Sequence, residues 1–203
     1  MNLRYENKLW KQGYDHIAGL DEAGRGSWAG PVVAGVVILP RKFKIKGIKD
    51  SKQLSSLQRE KLFLQIIKNS IAWAVGIIPH SVVDEVGILQ ANKQAFLKAI
   101  DKINLDPDYL IFDGIKFFEP EHEHEFIIKG DDKIMSVAAA SIIAKVIRDN
   151  LLIYHHKIYP EYGFHNNKGY GTREHREALD NHGLCEIHRV TYRPIEEILN
   201  KEL

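Results

Sequence analysis

Asp21-Glu22-Ala23-Gly24-Arg25-Gly26 stands between two apolar runs, a short one containing Ile17, Ala18 and Leu20 and a longer one from Pro31 to Leu39. The runs are rich in β-branched residues, so His16 to Leu20 and Val32 to Leu39 read as strands. Two adjacent carboxylates therefore close the first strand. A glycine-arginine-glycine turn follows, and the chain then re-enters the core. Carboxylate oxygens are hard ligands suited to Mg²⁺ and Mn²⁺. The glycines allow close backbone approach or positive φ, and the arginine fork fits a phosphate. The hexapeptide points to metal-dependent chemistry on a phosphate-bearing substrate.

Further elements alternate outward from this stretch. Ser55 to Asn69 reads as a helix capped by Ser55 or Ser56, with Leu57, Leu62, Phe63, Ile66 and Ile67 on its apolar side. Ile71 to Ile78 is strand-like. Ser81 to Ile103 is helical, in two pieces around Gly87, with Leu89, Ala95, Phe96, Ala99 and Ile100 facing inward. Tyr109 to Phe112 runs into Asp113-Gly114, and Phe126 to Ile128 into Lys129-Gly130-Asp131-Asp132. Ile134 to Tyr154 is a strong helix whose Ala138-Ala139-Ala140 run permits close packing. From Tyr159 the composition shifts to Gly, Tyr, His, Asn and Lys, with a short helix near Thr172 to Asn181 and a terminal one over Glu196 to Leu203. Strands with intervening helices predict an α/β fold: a mixed central sheet flanked by helices over residues 1–158. A helical, loop-rich C-terminal extension, residues 159–203, would pack on the same core.

The 203 residues are 44% hydrophobic and 27% charged, with a net charge of +1. This is globular composition without a global basic field. Any basic surface must be local: Arg41, Lys42, Lys44, Lys46, Lys49 and Lys52 early, and Lys168, Arg173, His188, Arg189 and Arg193 late. The single cysteine, Cys185, excludes an internal disulfide. The polar start, Met1 to Gln12, is unlike a signal peptide, and no apolar run reaches the roughly 20 residues needed to cross a bilayer. A cytoplasmic protein without membrane association is expected.

Asp21, Glu22, Asp113 and Asp131 each close an apolar run or sit where the backbone turns, as ligand sites at strand ends do. Neighbours on a regular strand face opposite ways. Asp21 and Glu22 can thus share one site only if the backbone bends between or just after them. If the four converge, their repulsion calls for divalent cations; otherwise they are separate surface acids.

The chain closely resembles bacterial ribonuclease HII, from about Asp15 to Pro194. The matching stretches are Ala18 to Gly26 with Ala29-Gly30-Pro31-Val32-Val33, Asp50-Ser51-Lys52-Gln53-Leu54, Ile88-Leu89-Gln90-Ala91 and Asp113-Gly114. Lys129-Gly130-Asp131 leading into Ala138 to Lys145, Lys168-Gly169-Tyr170-Gly171-Thr172 and His188-Arg189 complete the set. Together, in this order, they are highly specific. The resemblance implies a ribonuclease H-like core and endonucleolytic cleavage of RNA in RNA–DNA duplexes. It extends to single ribonucleotides embedded in DNA, leaving 3′-hydroxyl and 5′-phosphate ends. It implies a two-metal Mn²⁺ or Mg²⁺ site on Asp21, Glu22, Asp113 and Asp131, which also serve as the catalytic residues. Substrate contacts would fall on Gly24, Arg25 and Gly26 at the 2′-hydroxyl and its phosphate, on Tyr170 at the following sugar and on Lys52 near the scissile phosphate. Ser141, Lys145, Thr172 and Arg189 would act as backbone-phosphate contacts or supports. No obligate protein partner is evident, and a monomer is the family expectation.

Three positions depart from the family pattern: Ser27-Trp28 where Pro-Leu is common, Phe112 where valine is common, and Asp132 where alanine is usual. The last leaves Asp131 and Asp132 both open as the fourth ligand. Glu121-His122-Glu123-His124-Glu125 imitates a metal cluster but reads as a solvated loop. His155-His156 reads as a helix end, Asp149 as the ion-pair partner of Lys145, and Cys185 as passive. Three rival readings fit less well. A dinucleotide fingerprint on Gly24, Gly26 and Gly30 has the wrong spacing. A non-catalytic hybrid-binding module conflicts with a complete carboxylate set. Ribonuclease HIII carries an extra N-terminal domain, for which about fifteen residues before the first strand leave no room.

Overall fold

A computed structural model describes residues 1–49 and 51–200. Asp50, from one matching stretch, and Lys201 to Leu203, from the expected last helix, lie outside the described residues. Five strands form one mixed sheet: β1 (Ile17–Ala23), β2 (Val32–Ile38), β3 (Ala72–Ile78), β4 (Tyr109–Asp113) and β5 (His124–Ile127), in the order β3-β2-β1-β4-β5. β1 pairs antiparallel with β2 and parallel with β4. The β1–β4 register runs to Leu20 opposite Phe112. The next residue on each strand is a carboxylate, Asp21 and Asp113, so parallel pairing brings the two acids side by side.

Helices cover both faces. α1 (Arg4–Gln12), α2 (Ser56–Asn69) and α4 (Met135–Ile158) take one face, and α3 (His80–Lys102) takes the other. Glycines set how closely the helices approach. A Cβ on Gly35 would lie 2.6 Å from the Ala140 carbonyl of α4, and one on Gly76 would lie 1.9 Å from the Ala95 carbonyl of α3. Asp21 sits opposite Gly35, and Glu22 opposite Ala34, which itself pairs with Gly76. Residues paired across a ladder share a face. Asp21 therefore points to the α4 side and Glu22 to the α3 side.

Two helices are set by local chemistry. Ser55 begins α2 with a reciprocal capping box to Gln58. α3 is interrupted at Gly87 (φ 77°, ψ 157°), the expected break. Under β4, Phe112 stacks on Phe126 at 4.5 Å and meets Phe96 edge-on at 5.2 Å. Such pairs add about 0.5–1.5 kcal/mol each beyond burial, and they fix the strand that ends in Asp113.

Several expectations change. α1 was not foreseen, because of its nine residues only Glu6, Leu9 and Trp10 are buried. It docks through the Glu6 carboxylate, which accepts the Ser136 amide at the start of α4 (2.8 Å), where the helix dipole favours an anion. Leu57 and Leu89 are 62% and 47% exposed, off the buried faces assigned to them. A moderate apolar stripe does not fix which edge residues turn outward, and the Gly87 break rotates Leu89 off the core. The acid–histidine segment at 121–125 is not all loop, since β5 starts at His124.

After α4 come α5 (Phe164–Asn167), α6 (Arg173–His182) and α7 (Arg193–Leu199). They enclose a cluster of Trp28, Leu152, Tyr162, Phe164, Leu179 and Ile195, so this segment packs on α4 and on the loop after β1. Among the described residues no helix is long and apolar enough to cross a membrane.

Candidate functional site

Asp21, Asp113 and Asp131 each offer a carboxylate oxygen, and these oxygens lie within 4.8 Å of one another. β1 and β4 deliver the first two. The third arrives because Asp113 Oδ1 accepts the Gly130 amide (2.7 Å), drawing the turn at 130–132 against the strand end. Lys129 takes a left-handed conformation (φ 58°) to enter that turn. Asp131 is buried, whereas Asp132 is exposed and accepts from Gln53 (3.0 Å). Of the two open candidates, Asp131 is the one that joins the cluster.

β1 stays regular through Ala23, and the chain bends at Gly24 (φ 96°). Glu22 is accordingly outside the trio, on the opposite face, and pairs with Arg25 at 3.2 Å. Asn92 of α3 is wholly buried beside it and favours its charged form. Burial pushes the Asp21 carboxyl well above the usual range, and the charges of Glu22 and Asp113 push it further. Burial also raises Glu22, against the pull of Arg25. Buried carboxylates that repel one another suit a hard divalent cation: the donors are all oxygen, and bound positive charge would reverse each shift.

Beside the trio lies a cleft of about 400 Å³ lined by Glu22, Ala23, Gly24, Arg25, Gly26, Ser51, Lys52, Ser141, Lys145 and Tyr170. Seven of the nine anticipated substrate-contact positions thus share one space. Lys52 Nζ lies 3.8 Å from Asp131 Oδ2. Ser141 is buried, bonds Ser51 Oγ at 2.9 Å and lowers the Asp21 carboxyl. Lys145 pairs with Asp149 at 2.7 Å, the anticipated i,i+4 bridge, and also lies 5.2 Å from the Tyr170 ring. Tyr170 is half-buried.

Thr172 and Arg189 lie outside the cleft lining. Thr172 caps α6, accepting the His175 amide (3.3 Å). Arg189 is fully buried: Nε and Nη2 donate to the Gly30 carbonyl, and Nη1 to the Arg25 carbonyl and Tyr192 Oη. With no exposed surface, its guanidinium faces the backbone around the turn and not the cleft. Ser27 and Trp28, the departures after the turn, are both packed. Ser27 Oγ donates to the Gly24 carbonyl (2.9 Å), and Trp28 fills the space a Cβ on Gly171 would need.

Two features escaped the sequence reading. Arg148 is fully buried, and its only sequence signal is a cation inside an apolar helix, three residues after Lys145 and seven after Ser141. His175 and His188 are buried and joined Nε2 to Nε2 at 3.0 Å. His175 Nδ1 faces the Tyr170 carbonyl (3.0 Å), and the Cys185 amide donates to His188 Nδ1 (2.9 Å). Burial holds His188 down at about 4 and lowers His175. The pair is therefore neutral, with His175 Nδ1–H donating to Tyr170 and His188 Nε2–H donating to His175. Burial raises the Cys185 thiol to about 11, which fits a passive residue.

A family model described as ribonuclease HII matches residues 18–194. A ribonuclease HII from Listeria monocytogenes is 50% identical over 194 residues, covering 96% of this chain and 74% of the relative. One from Desulfitobacterium hafniense is 48% identical over 98% of this chain and 76% of the relative. The crystal structure of ribonuclease H2 from Pyrococcus horikoshii superposes with a TM-score of 0.79 at 29% identity, covering 92% of this chain and 98% of that one. By family model, sequence identity and superposition alike, the chain belongs to the ribonuclease HII family, ribonuclease H enzymes that cleave the RNA strand of RNA–DNA hybrids.

Proposed function

We propose that this enzyme also nicks duplex DNA on the 5′ side of a single embedded ribonucleotide, leaving 3′-hydroxyl and 5′-phosphate ends. The observation that carries the reading is the adjacency of the carboxylate trio to a cleft walled by Gly24–Gly26 and Tyr170. Asp21, Asp113 and Asp131 would hold divalent cations, Mn²⁺ or Mg²⁺, with Glu22 joining from the other face of β1. Two such cations supply an activated water and stabilise the departing 3′ oxygen.

The chain's own residues do the selecting. The exposed Gly26 leaves open space where a sugar edge can approach the backbone. Arg25, 49% exposed at its side chain, offers a fork to the adjoining phosphate. The 2′-hydroxyl is what tells a ribonucleotide from its DNA neighbours, so the turn tests it while Tyr170 packs on the following sugar. Lys52, beside Asp131, steers the scissile phosphate. Ser141 orients Asp21, and Lys145 holds the rim near Tyr170. Residues 159–203 act as the substrate-contacting extension of a 1–158 core, in a cytoplasmic monomer.

The test is a labelled duplex carrying one ribonucleotide, incubated with Mn²⁺ or Mg²⁺. A single cut on the 5′ side is expected. Equal cutting of an all-DNA duplex sinks the 2′-hydroxyl reading, and undiminished cutting by Asp21→Asn sinks the metal assignment. Tyr170→Ala is expected to lose preference for the RNA–DNA junction more than it loses metal binding.

A further inference from the structure

We infer that Arg148 is a positioning residue that sets the separation between the Gly24–Gly26 turn and Tyr170, and so the enzyme's discrimination for a lone ribonucleotide. The inference rests on the reading of those two segments given above. Arg148 is 0% exposed. Its Nε donates to the Pro31 carbonyl (3.0 Å), Nη1 to the Lys168 carbonyl (3.0 Å), and Nη2 to Ser27 Oγ (2.7 Å) and the Ala29 carbonyl (3.1 Å). One planar group thus joins the chain just after the turn to the residue two before Tyr170. It also touches both reading elements. A Cβ on Gly24 would lie 2.1 Å from Nε, and the guanidinium carbon lies 5.3 Å from the centre of the Tyr170 ring.

No carboxylate pairs with Arg148 among the described residues. Its neighbour Asp149 is engaged by Lys145 (2.7 Å) and Arg59 (3.5 Å). A buried charge without a counter-ion needs most of its donors hydrogen-bonded. Here three backbone carbonyls and one hydroxyl take four of the five N–H groups. Each carbonyl drawn inward fixes a peptide plane, and the planes belong to the segments flanking the cleft. Four acceptors on two segments over-determine where those segments sit. Lysine keeps the charge but lacks the planar fork, so it cannot hold the same set in the same geometry.

The test compares kcat/KM on a duplex with one embedded ribonucleotide against kcat/KM on a continuous RNA–DNA hybrid. In Arg148→Lys the ratio of the two is expected to fall by about tenfold, since roughly 1 Å of misplacement can cost up to about a hundredfold. Mn²⁺ binding by calorimetry is expected to match wild type. Ile66→Ala, a core truncation on α2, serves as a control: it lowers Tm and leaves the ratio unchanged. Ser27→Ala removes a single acceptor and keeps the inference testable should Arg148→Lys fail to fold; about a threefold fall is expected, less than the full worth of one hydrogen bond to a charged group because three acceptors remain. A wild-type ratio in the folded variants overturns the inference while the proposed function stands. A fall equally large in Ile66→Ala also overturns it. Failure of the wild-type enzyme to cut at an embedded ribonucleotide overturns the proposed function and this inference together.

Discussion

The carboxylate trio and the arginine–histidine cluster behind the cleft are both polar and both largely buried, yet they solve burial in opposite ways. Asp21, Asp113 and Asp131 crowd like charges within 4.8 Å. Arg148 and Arg189 each donate four hydrogen bonds to carbonyl and hydroxyl oxygens, and His175 and His188 bond each other and the backbone. One region gathers like charge that a bound cation would relieve, and the other is hydrogen-bonded as folded. The first is where chemistry can happen. The second is what a chain builds when geometry must be held without being touched.

The largest expected break is Asp113→Asn. It removes one charge while Asn Oδ1 can still accept the Gly130 amide. Activity on RNA–DNA hybrids is expected to fall about 10³-fold, equivalent to about 4 kcal/mol of transition-state stabilisation. Metal-free Tm is expected to rise as repulsion is relieved. Mn²⁺ at about 100 times its Kd would stabilise the wild type by roughly 2.7 kcal/mol and the variant far less. A wild-type metal response in thermal unfolding would break the contrast.

Arg189→Met is expected to do the reverse. It strands the Gly30 and Arg25 carbonyls and costs about 3 kcal/mol in denaturant unfolding, with or without Mn²⁺. A cost that metal abolishes would place Arg189 with the trio.

The two regions also titrate in opposite senses. Asp21 is raised, so the folded state binds more protons than the unfolded one, and its contribution in metal-free protein is lost as pH rises through the folded value. His188 is lowered to about 4. Its contribution is present above the unfolded value of about 6.5 and is lost as pH falls toward 4, a change of about 3 kcal/mol at most. Tm measured against pH in His188→Asn is expected to lose the slope between those values. An unaltered slope would remove the histidine pair from the account.

How much of this was legible beforehand follows from the same contrast. The strands, the break at Gly87, the Lys145–Asp149 bridge and the strand-end acids Asp21 and Asp113 could be read, because apolar runs ending in acids leave a local pattern. That Asp131 rather than Asp132 joins the trio could not, since the choice is made by one hydrogen bond from Gly130 to Asp113 across seventeen residues. Arg148 and the histidine pair were invisible for the same reason: their partners are mostly backbone groups, one distant hydroxyl and each other, which no side-chain spacing encodes. α1 was missed because its docking rests on one buried glutamate and two apolar residues, too few for a period.

α4 carries Ser141 beside Asp21, Lys145 at the rim and Arg148 under Tyr170, at intervals of four and three residues along a single helical face. At about 1.5 Å of rise per residue, the seven steps from Ser141 to Arg148 span about 10 Å. α4 is thereby a ruler graduated in turns, with the carboxylate trio at one mark and the Tyr170 wall of the cleft at another. Adding one residue between the marks would turn the far one by about 100°, leaving each part intact and the measurement between them false.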